Sequence, residues 1–409
     1  MKRILSSLTM LVWGGACAMA QQTVSISVEN PSKLQLTAVP VVIQLNDYGV
    51  AAKSAVVKAD GVEIPSQLDD LDGNGTPDEL CFLTTLGRKE KKQFTIELLE
   101  SGKPREYTPR VYAEMLLTNK KVKSENKQDL YISSLTVDNG TNPYWQLHHH
   151  GPAFENELVA YRIYFDHRQT VDIYGKYHRG LELRQTQFYP DSTQKAAGLG
   201  DDVLWVGQTF GLGTLRGWDG QRPLMLTDVA HRTLRILSRG PLRTIVEVID
   251  EGWRPSPAVL HPITMTTRYT LYAGRRDCIV DVSFDRAASD LQLATGIINV
   301  KNSQEFSDCE GLRGCWGTDW PVSAKDSVGH KRETVGLGIC LPAQHIVNEL
   351  PADKDNYPFV IGNLADELHY AITFGSDNED FGYHSAQEWF AYLKEWKKQL
   401  GVAVKVRKK

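Results

Sequence analysis

The sequence predicts a mostly β protein, with a small N-terminal β-sandwich, a large antiparallel β-sandwich and a C-terminal helix. Short runs rich in Val, Ile, Thr, Tyr and Phe recur along the chain, and Gly, Pro, Asn and Asp separate them. Many of these runs alternate apolar and polar residues, as strands with one buried face do. Because 409 residues exceed a typical single hydrophobic core, we expect two domains.

The clearest predicted strands span residues 23–29, 41–45, 94–99, 181–189, 244–249, 263–272 and 278–285. A polar stretch with two prolines, residues 101–112, separates a first domain, residues 21–105, from a second, residues 110–409. Near the end, Ser385 and Glu388 form a capping box that predicts a helix ending before Gly401. Its apolar stripe, which we interpret as packing against a sheet, consists of Trp389, Phe390, Leu393, Trp396 and Leu400.

The first 20 residues have the pattern of a secretory signal peptide. Lys2 and Arg3 precede an apolar stretch, residues 4–13, and Ala18 and Ala20 give a small-x-small cleavage pattern. We therefore expect export to a periplasm or beyond. Lipidation at Cys17 is the less favoured alternative, because the usual Leu three residues earlier is missing. The apolar stretch is too short to span a bilayer, and no other segment is long and apolar enough.

Charge and cysteine content exclude some classes of protein. The net charge is −4 and no Lys/Arg stripe stands out, which argues against a nucleic-acid partner. The basic tail, residues 405–409, is interpreted as a solvated, frayed end. Either Cys309 and Cys315 close a disulfide, which export permits, or all cysteines after the signal are reduced. Their spacing fits no zinc motif; they are Cys81, Cys278, Cys309, Cys315 and Cys340.

The most unusual segment, residues 144–176, combines three consecutive histidines with many charged and aromatic residues. Aromatic rings beside titratable groups are typical of a site that binds or cleaves sugars. If the chain is extended here, His148 and His150 face one way and His149 the other. Because no third ligand is fixed by local spacing, acid or base chemistry is favoured over a metal site. At least one histidine is expected to be functional and the others structural.

Residues 160–168 predict a strand with Arg162, Tyr164 and Asp166 on one face. Arg162 could bind a substrate carboxylate through a bidentate fork. The alternative is an Arg–Asp ion pair that braces the sheet. Further candidates around this strand for catalysis or substrate binding are Trp145, Glu155, Glu157, Arg168, Tyr174 and Lys176.

A second unusual stretch, residues 198–220, contains two adjacent acids and two tryptophans. Asp202 is a candidate catalytic or sugar-binding acid, and ordinary turn chemistry is the alternative. Trp205 and Trp218 are candidate platforms for sugar stacking. The glycines here do not form a phosphate loop, because no helix follows and no GK[ST] occurs.

Residues 70–81 partly match a calcium loop. Asp70, Asp72 and Asn74 occupy positions 1, 3 and 5, but position 12 is Cys81 instead of a bidentate glutamate. Asp78 could substitute as a ligand. The alternative is a hairpin turn rich in Asp and Gly. If calcium binds, we expect a structural role, and we expect no cofactor to be required for catalysis.

Four stretches of sequence carry a family resemblance. WQLHHHGPAFENELVAYRIYFD, DIYGK, GDDVLWVG and PSQLDDLDGNGTPDEL resemble exported proteins of glycan-degrading Bacteroidota, a family known chiefly as a domain of unknown function. The resemblance covers nearly the whole mature chain. It implies a galactose-mutarotase-like sandwich and a place in the breakdown of uronate-containing polysaccharides such as pectins. It assigns no catalytic residue.

The leading hypothesis is a lyase acting on an acidic oligosaccharide or polysaccharide. Elimination beside a uronate needs a carboxylate neutraliser, a base and a proton donor. Arg162 or Arg168 could neutralise, one of the three histidines could be the base, and Tyr164 or Tyr174 the acid. Hydrolysis would instead use two carboxylates among Glu155, Glu157, Asp166 and Asp202. Fold analogy also allows an aldose epimerase, and the aromatic residues allow a non-catalytic glycan-binding protein. The oligomeric state stays open.

Overall fold

The computed structural model describes residues 21–124 and 126–409. The predicted signal peptide and the lipidation alternative at Cys17 lie outside the described residues. The described chain is built mostly from antiparallel β-sheets, as predicted. None of the helices within the described residues combines the length and the apolar character needed to cross a membrane.

The N-terminal strands form two small sheets around their own core. The strands are β1 (Gln21–Glu29), β2 (Leu36–Gln44), β3 (Ser54–Ala59), β4 (Val62–Ile64), β5 (Ser66–Asp69), β6 (Glu79–Leu86) and β7 (Lys91–Leu99), with a 3-10 turn at Leu45–Tyr48. One sheet contains β1-β7-β3-β4 and the other β2-β6-β5. Their alternating apolar residues meet in a shared core that includes Ile26, Phe82 and Phe94. The alternation therefore reflects two facing sheets, each with one buried side.

The remaining strands and the helices follow along the chain. The strands are β8 (Val111–Glu114), β9 (Leu116–Leu117), β10 (Leu130–Tyr131), β11 (Ser134–Asp138), β12 (Ala153–Asn156), β13 (Ala160–Ile163), β14 (Val171–Gly175), β15 (Asp201–Asp202), β16 (Arg216–Trp218), β17 (Pro223–Leu224), β18 (His231–Arg239), β19 (Arg243–Trp253), β20 (Ile263–Tyr272), β21 (Asp277–Phe284), β22 (Leu293–Ile298), β23 (Gln304–Ser307), β24 (Leu312–Asp319), β25 (Glu333–Cys340), β26 (Ile346–Glu349), β27 (Asn356–Ile361), β28 (Glu367–Ser376) and β29 (Lys405–Lys408). The helices are α1 (Leu183–Thr186), α2 (Ser192–Ala196) and α3 (Ala386–Leu400), with 3-10 turns at His148–His150 and Ala343–His345.

Two layers form the large sandwich. One layer is a nine-stranded sheet in the order β11-β18-β19-β20-β21-β28-β25-β24-β23. The other consists of two five-stranded sheets, β15-β14-β13-β12-β8 and β17-β16-β22-β27-β26, and single bridges at Gly211 and Leu212 link them. Side chains of both layers share one hydrophobic core. The predicted sandwich architecture is confirmed.

The strand register determines which polar side chains meet on the outer face of the second layer. Tyr161 and Ile163 of β13 lie in the sandwich core, so Arg162 between them points to the opposite face. Arg162 is opposite Asp172 of β14, and Tyr174 of β14 is opposite Asp202 of β15. Three short strands thus bring together a cation and two carboxylates that are far apart in sequence.

Helix α3 confirms the predicted C-terminal helix. The Ser385 side chain accepts a hydrogen bond from the backbone N–H of Glu388, as the capping box requires. The buried stripe of the helix packs on the outer face of β24, β25 and β28. Gly336 is essential to this contact, because a Cβ atom there would lie 2.6 Å from the Trp389 ring.

Two predictions about local structure are wrong. Residues 181–189 contain α1 and not a strand, because the backbone N–H groups of Glu182 and Leu183 donate to the buried Glu155 carboxylate and turn the chain there. The basic tail is not frayed: β29 pairs with β1 over four residues, although its side chains stay exposed. This pairing connects the end of the second predicted domain to the first.

The cysteines are reduced. All five in the described chain are free, so the alternative of a Cys309–Cys315 disulfide is wrong. The physical reason is orientation: Cys315 lies in the sandwich core, whereas Cys309 is exposed on the turn before β24.

Candidate functional site

Arg162 is the centre of a buried polar cluster. Its guanidinium is 1% exposed and donates hydrogen bonds to Asp172, to Asp202 at 2.9 Å and to the hydroxyls of Tyr164 and Tyr189 at 2.8 and 2.9 Å. A fully buried cation is tolerated here because carboxylates and hydroxyls surround it. Arg162 is also a predicted carboxylate binder, but both of its terminal nitrogens donate to groups within the protein, and its Nε is buried without a hydrogen-bond partner. The alternative, an Arg–Asp ion pair that braces the sheet, is present, because Asp172 and Asp202 of the neighbouring strands pair with Arg162.

The two carboxylates on Arg162 differ in exposure. The Asp172 side chain is completely buried, whereas that of Asp202 is 19% exposed. Burial, followed by repulsion from Asp172, raises the pKa of Asp202 well above its usual range, and Arg162 only partly opposes this. Burial likewise raises the pKa of Asp172. The pair therefore holds a proton to higher pH than an isolated carboxyl group would, and Asp202 is the member that a substrate can reach.

Next to this cluster lies a stack of rings formed by Tyr144, His150 and Tyr164. The Tyr144 and His150 rings are parallel with centres 3.7 Å apart, and Tyr164 lies 5.8 Å from His150 in nearly the same orientation. The Arg168 guanidinium covers both tyrosine rings, at 4.9 and 4.6 Å. Trp145, 77% exposed, meets the edge of His150. This arrangement offers an aromatic platform bordered by a cation and an imidazole, which suits a sugar with a carboxylate.

His150 is a neutral base at physiological pH. Its Nδ1 donates to the Tyr144 carbonyl at 2.9 Å, so the lone pair is on Nε2. Burial lowers the pKa of His150 to about 4, and the ring is only partly enclosed. Of the three consecutive histidines, this one borders the surface beside Trp145.

His148 and His149 are enclosed by protein and contact other protein groups. Both are buried, and burial lowers the pKa of each to about 3. His148 Nε2 donates to the Gln187 carbonyl, and His149 Nε2 lies 3.2 Å from the Glu114 carboxyl group. The prediction that His148 and His150 point the same way from an extended segment is wrong. The three residues form a 3-10 turn in which His149 and His150 have φ values of 41° and 67°.

Several other predicted site residues are buried in the protein near this cluster. Lys176 and Glu155 form a fully buried ion pair at 2.5 Å. The Tyr174 hydroxyl is buried and donates to Glu182, so it cannot reach a substrate. Catalytic or binding roles for Lys176, Glu155 and Tyr174 stay predictions; in the structure these three side chains are enclosed by protein.

The remaining predicted residues are divided between the site and other regions. Asp166 is buried and binds Arg168 through two hydrogen bonds, which orient the guanidinium over the rings. Glu157 pairs with Arg110 and the Gly274 backbone, next to the N-terminal sheets and not in the cluster. Trp205 is 47% exposed and follows Asp202 by three residues. Asp166 therefore positions Arg168, and the predicted catalytic role of Glu157 would act away from this cluster.

Sequence reasoning missed four contributors: Tyr144, Asp172, Tyr189 and Arg216. Tyr144 and Asp172 lie inside the unusual segment of residues 144–176, but only the register of β13 and β14 shows that Asp172 faces Arg162. Arg216 is 2% exposed and donates to the Arg168 carbonyl and other oxygens, with no carboxylate in salt-bridge distance among the described residues. Burial lowers its pKa to about 10. The sequence around Arg216, residues 213–218, contains no pattern that predicts a buried arginine without a carboxylate partner.

The Asp70 loop could hold a cation. Carboxylate oxygens of Asp70, Asp72 and Asp78 lie within 4.8 Å of one another, an arrangement that suits calcium. Asp70 also accepts three backbone N–H groups of the loop, and Asp78 accepts two. Asn74 bonds to Asp72 and to the backbone N–H of Thr76. The loop therefore fits both a structural calcium site and a self-contained turn.

Fold and site together define a β-sandwich protein with an acid–base cluster beside exposed aromatic rings. The chain belongs to the family described as "Domain of unknown function (DUF4861)", whose model matches residues 28–406. None of the curated proteins compared with the chain matches it.

Two solved structures from Enterococcus faecalis are similar over 94% of this chain, both at 11% identity. One is a protein in glycosyl hydrolase family 38, with a TM-score of 0.48, and the other is an alpha-mannosidase from strain V583, with a TM-score of 0.44. The chain spans about half their length, 47% and 46%. Similarity at this level informs neither the reaction nor the substrate of this chain.

Proposed function

We propose that this protein is a carbohydrate-active enzyme that cleaves a uronate-containing glycan by β-elimination. The observation that carries the proposal is the contact of Tyr144 with both Arg168 and neutral His150, next to exposed Trp145. These groups correspond to the three requirements of elimination: a cation for the carboxylate, a base and a proton donor.

Each group has a defined role in the proposal. Arg168 binds the substrate carboxylate and stabilises the charge that develops on it. His150 Nε2 removes the proton on the carbon next to that carboxylate. Tyr144 donates a proton to the leaving oxygen; it is preferred to Tyr164, whose hydroxyl is committed to Arg162 and Asp172. The departing bond is the glycosidic C–O bond, and the product carries a C=C bond beside the carboxylate.

Electrostatics favour an acidic substrate. Arg168 is paired with Asp166, but Arg216 behind it adds a buried positive charge that no carboxylate among the described residues balances at salt-bridge distance. In a partly desolvated site, such a charge acts more strongly than it would in water. The cation pair therefore supports binding of a uronate carboxylate over Tyr144.

Hydrolysis is the second candidate, and Asp202 favours it. A partly exposed carboxyl group with a raised pKa is suited to protonate a glycosidic oxygen. The partner carboxylate, Asp172, is fully buried, so a two-carboxylate mechanism lacks an accessible second group in this cluster. We therefore rank hydrolysis behind elimination.

The test is to incubate the protein with pectic and other uronate glycans while recording two signals. Elimination produces ultraviolet absorbance from the unsaturated uronate together with new reducing ends. Hydrolysis produces reducing ends alone, and that outcome would reject the lyase in favour of the Asp202 mechanism. Binding without either signal would leave a glycan-binding protein, and no interaction with any glycan would refute the proposal.

Three variants assign the roles. His150→Ala is expected to reduce the elimination rate by about 10²–10⁴-fold, the usual contribution of a general base. Arg168→Lys keeps the charge but loses the planar fork, so we expect a higher KM for uronate substrates. The matched control is His178→Ala, since His178 is 65% exposed and pairs with Asp380. Full activity in His150→Ala would show that the site is assigned wrongly.

A further inference from the structure

A separate cleft lies on the outer face of the sandwich, where β16 ends. Its volume is about 760 Å³, within the range of about 300–1,000 Å³ that small-molecule sites occupy. Trp218 lies in its wall, and the other walls are the loop of residues 256–261 and the turn of residues 286–292. We call it the Trp218 cleft. It shares no lining residue with the stack of Tyr144, His150 and Tyr164.

The lining chemistry is that of a sugar-binding site. Trp218, Val259 and Leu260 supply apolar surface, and Leu260 is 82% exposed. Asp219, His261, Arg286, Asp290 and Gln292 supply side chains that donate or accept hydrogen bonds. An aromatic wall with several planar polar groups matches a pyranose, whose faces are apolar and whose edge is a row of hydroxyls.

Charge separates this cleft from the elimination site. Arg286 bonds to Asp290 at 2.9 Å, and Asp219 is paired with Arg222 at 3.3 Å, so the cleft contains no unbalanced cation among its described lining residues. A uronate carboxylate would find no free arginine there. The cleft is therefore suited to neutral sugars, in contrast to the cationic surroundings of Arg168.

Strand β16 connects the two places. Trp218 follows Arg216 by two residues, so their side chains point to the same face about 7 Å apart along the strand. Arg216 in turn donates to the Arg168 carbonyl at 3.3 Å. The strand that carries Trp218 thus begins beside the segment that carries Arg168, and a glycan long enough to reach both would extend from the ring stack to the Trp218 cleft.

We infer that the Trp218 cleft is a subsite for neutral sugar residues of the same glycan whose uronate binds at Arg168. The second half of this statement rests on the proposed function, whereas neutral-sugar binding by the cleft does not. The substrate class that follows is a heteroglycan with both neutral and uronate residues.

The experiment is calorimetric titration of the protein with neutral oligosaccharides, including galactan, arabinan and mannan fragments. We expect binding by the wild type and at least about tenfold weaker binding by Trp218→Ala, from the loss of ring stacking. Because Trp218 is 9% exposed, its removal also tests folding, so Ala258→Glu is the second variant. Ala258 is exposed on the cleft wall, and a glutamate there adds bulk and charge without removing core contacts.

Controls separate this inference from the proposed function. Gln221→Ala changes an exposed glutamine next to the cleft and is expected to bind like the wild type. His150→Ala is expected to lose turnover and keep its affinity for neutral oligosaccharides. Unchanged affinity in both Trp218→Ala and Ala258→Glu, or no binding of any neutral oligosaccharide by the wild type, would overturn the inference even if elimination activity is found.

Discussion

Replacing Arg162 with methionine tests whether the polar cluster depends on one cation. Methionine keeps much of the length of the side chain and its apolar contacts but removes the guanidinium. In the native protein this group contacts the completely buried Asp172 and the partly exposed Asp202, and it lies 4.0 Å from the Phe188 ring centre. The variant would leave Asp172 as an uncompensated buried charge.

The expected magnitude follows from the burial of the partners. Breaking a buried ion pair by removing one partner costs about 3–5 kcal/mol, because the remaining charge stays desolvated. Arg162 is 1% exposed and Asp172 has no exposed side-chain surface, so little solvent screening reduces this value. We therefore expect Arg162→Met to lower the free energy of unfolding by about 3–5 kcal/mol at neutral pH.

The loss should depend on pH in a defined direction. Without Arg162, the folded-state pKa of Asp172 rises further above its unfolded value of about 3.9. A carboxyl group with a raised folded-state pKa binds more protons when folded, so its effect lowers stability as pH rises. Urea unfolding should thus show a smaller loss at about pH 4, near the unfolded value, than at about pH 8.

Two further variants make the result decisive. Asp172→Asn in the Arg162→Met background removes the unpaired charge and should restore part of the lost stability. Arg222→Met removes a 79% exposed arginine that contacts Asp219 at 3.3 Å, and it should cost less than about 1 kcal/mol. A loss in Arg162→Met no larger than that in Arg222→Met would refute the view that Arg162 holds the cluster together.

Three other predictions concern stability and calcium. Burial raises the pKa of Glu114 to about 8. The folded state therefore keeps a proton that the unfolded state releases above about pH 4.3. The free energy of unfolding should fall as pH rises toward 8, and Glu114→Gln should reduce this pH dependence in urea titrations. Calcium should raise the melting temperature of the wild type and of Asp47→Asn but not of Asp72→Asn, and an equal rise in all three would contradict the site in the Asp70 loop. Trp389→Ala empties a completely buried position and should cost about 3–5 kcal/mol by chemical denaturation, whereas a loss below about 1 kcal/mol would contradict the packing of α3.

The strands and the C-terminal helix could be predicted because their apolar residues recur with the period of the buried face. The alternation of β20 and the stripe of Trp389, Leu393 and Trp396 each correspond to one buried face in the structure. The strand predicted for residues 181–189 is absent, because the chain turns there to bind Glu155, which lies 27 residues before Glu182. Local propensity carries no information about such a contact.

The sequence drew attention to a segment that contains part of the buried polar cluster, but it did not show which of its residues lie together. His150 differs from His148 and His149 only through the turn that holds it, whose positive φ values no histidine run reveals. Asp172 and Tyr189 join Arg162 through strand register and a loop, both of which are tertiary. Sequence therefore indicated where charged and aromatic residues are dense, and the fold decides which of them face solvent.

The pairing of β29 with β1 gives β1 a neighbour on each side. Val28 of β1 is opposite Val406 of β29, and β7 pairs with the other side of β1. Without β29, β1 would be an edge strand with unpaired backbone groups, which is a known hazard for association with other chains. A truncation after α3 would therefore open that edge, although it would remove no buried residue of the N-terminal core.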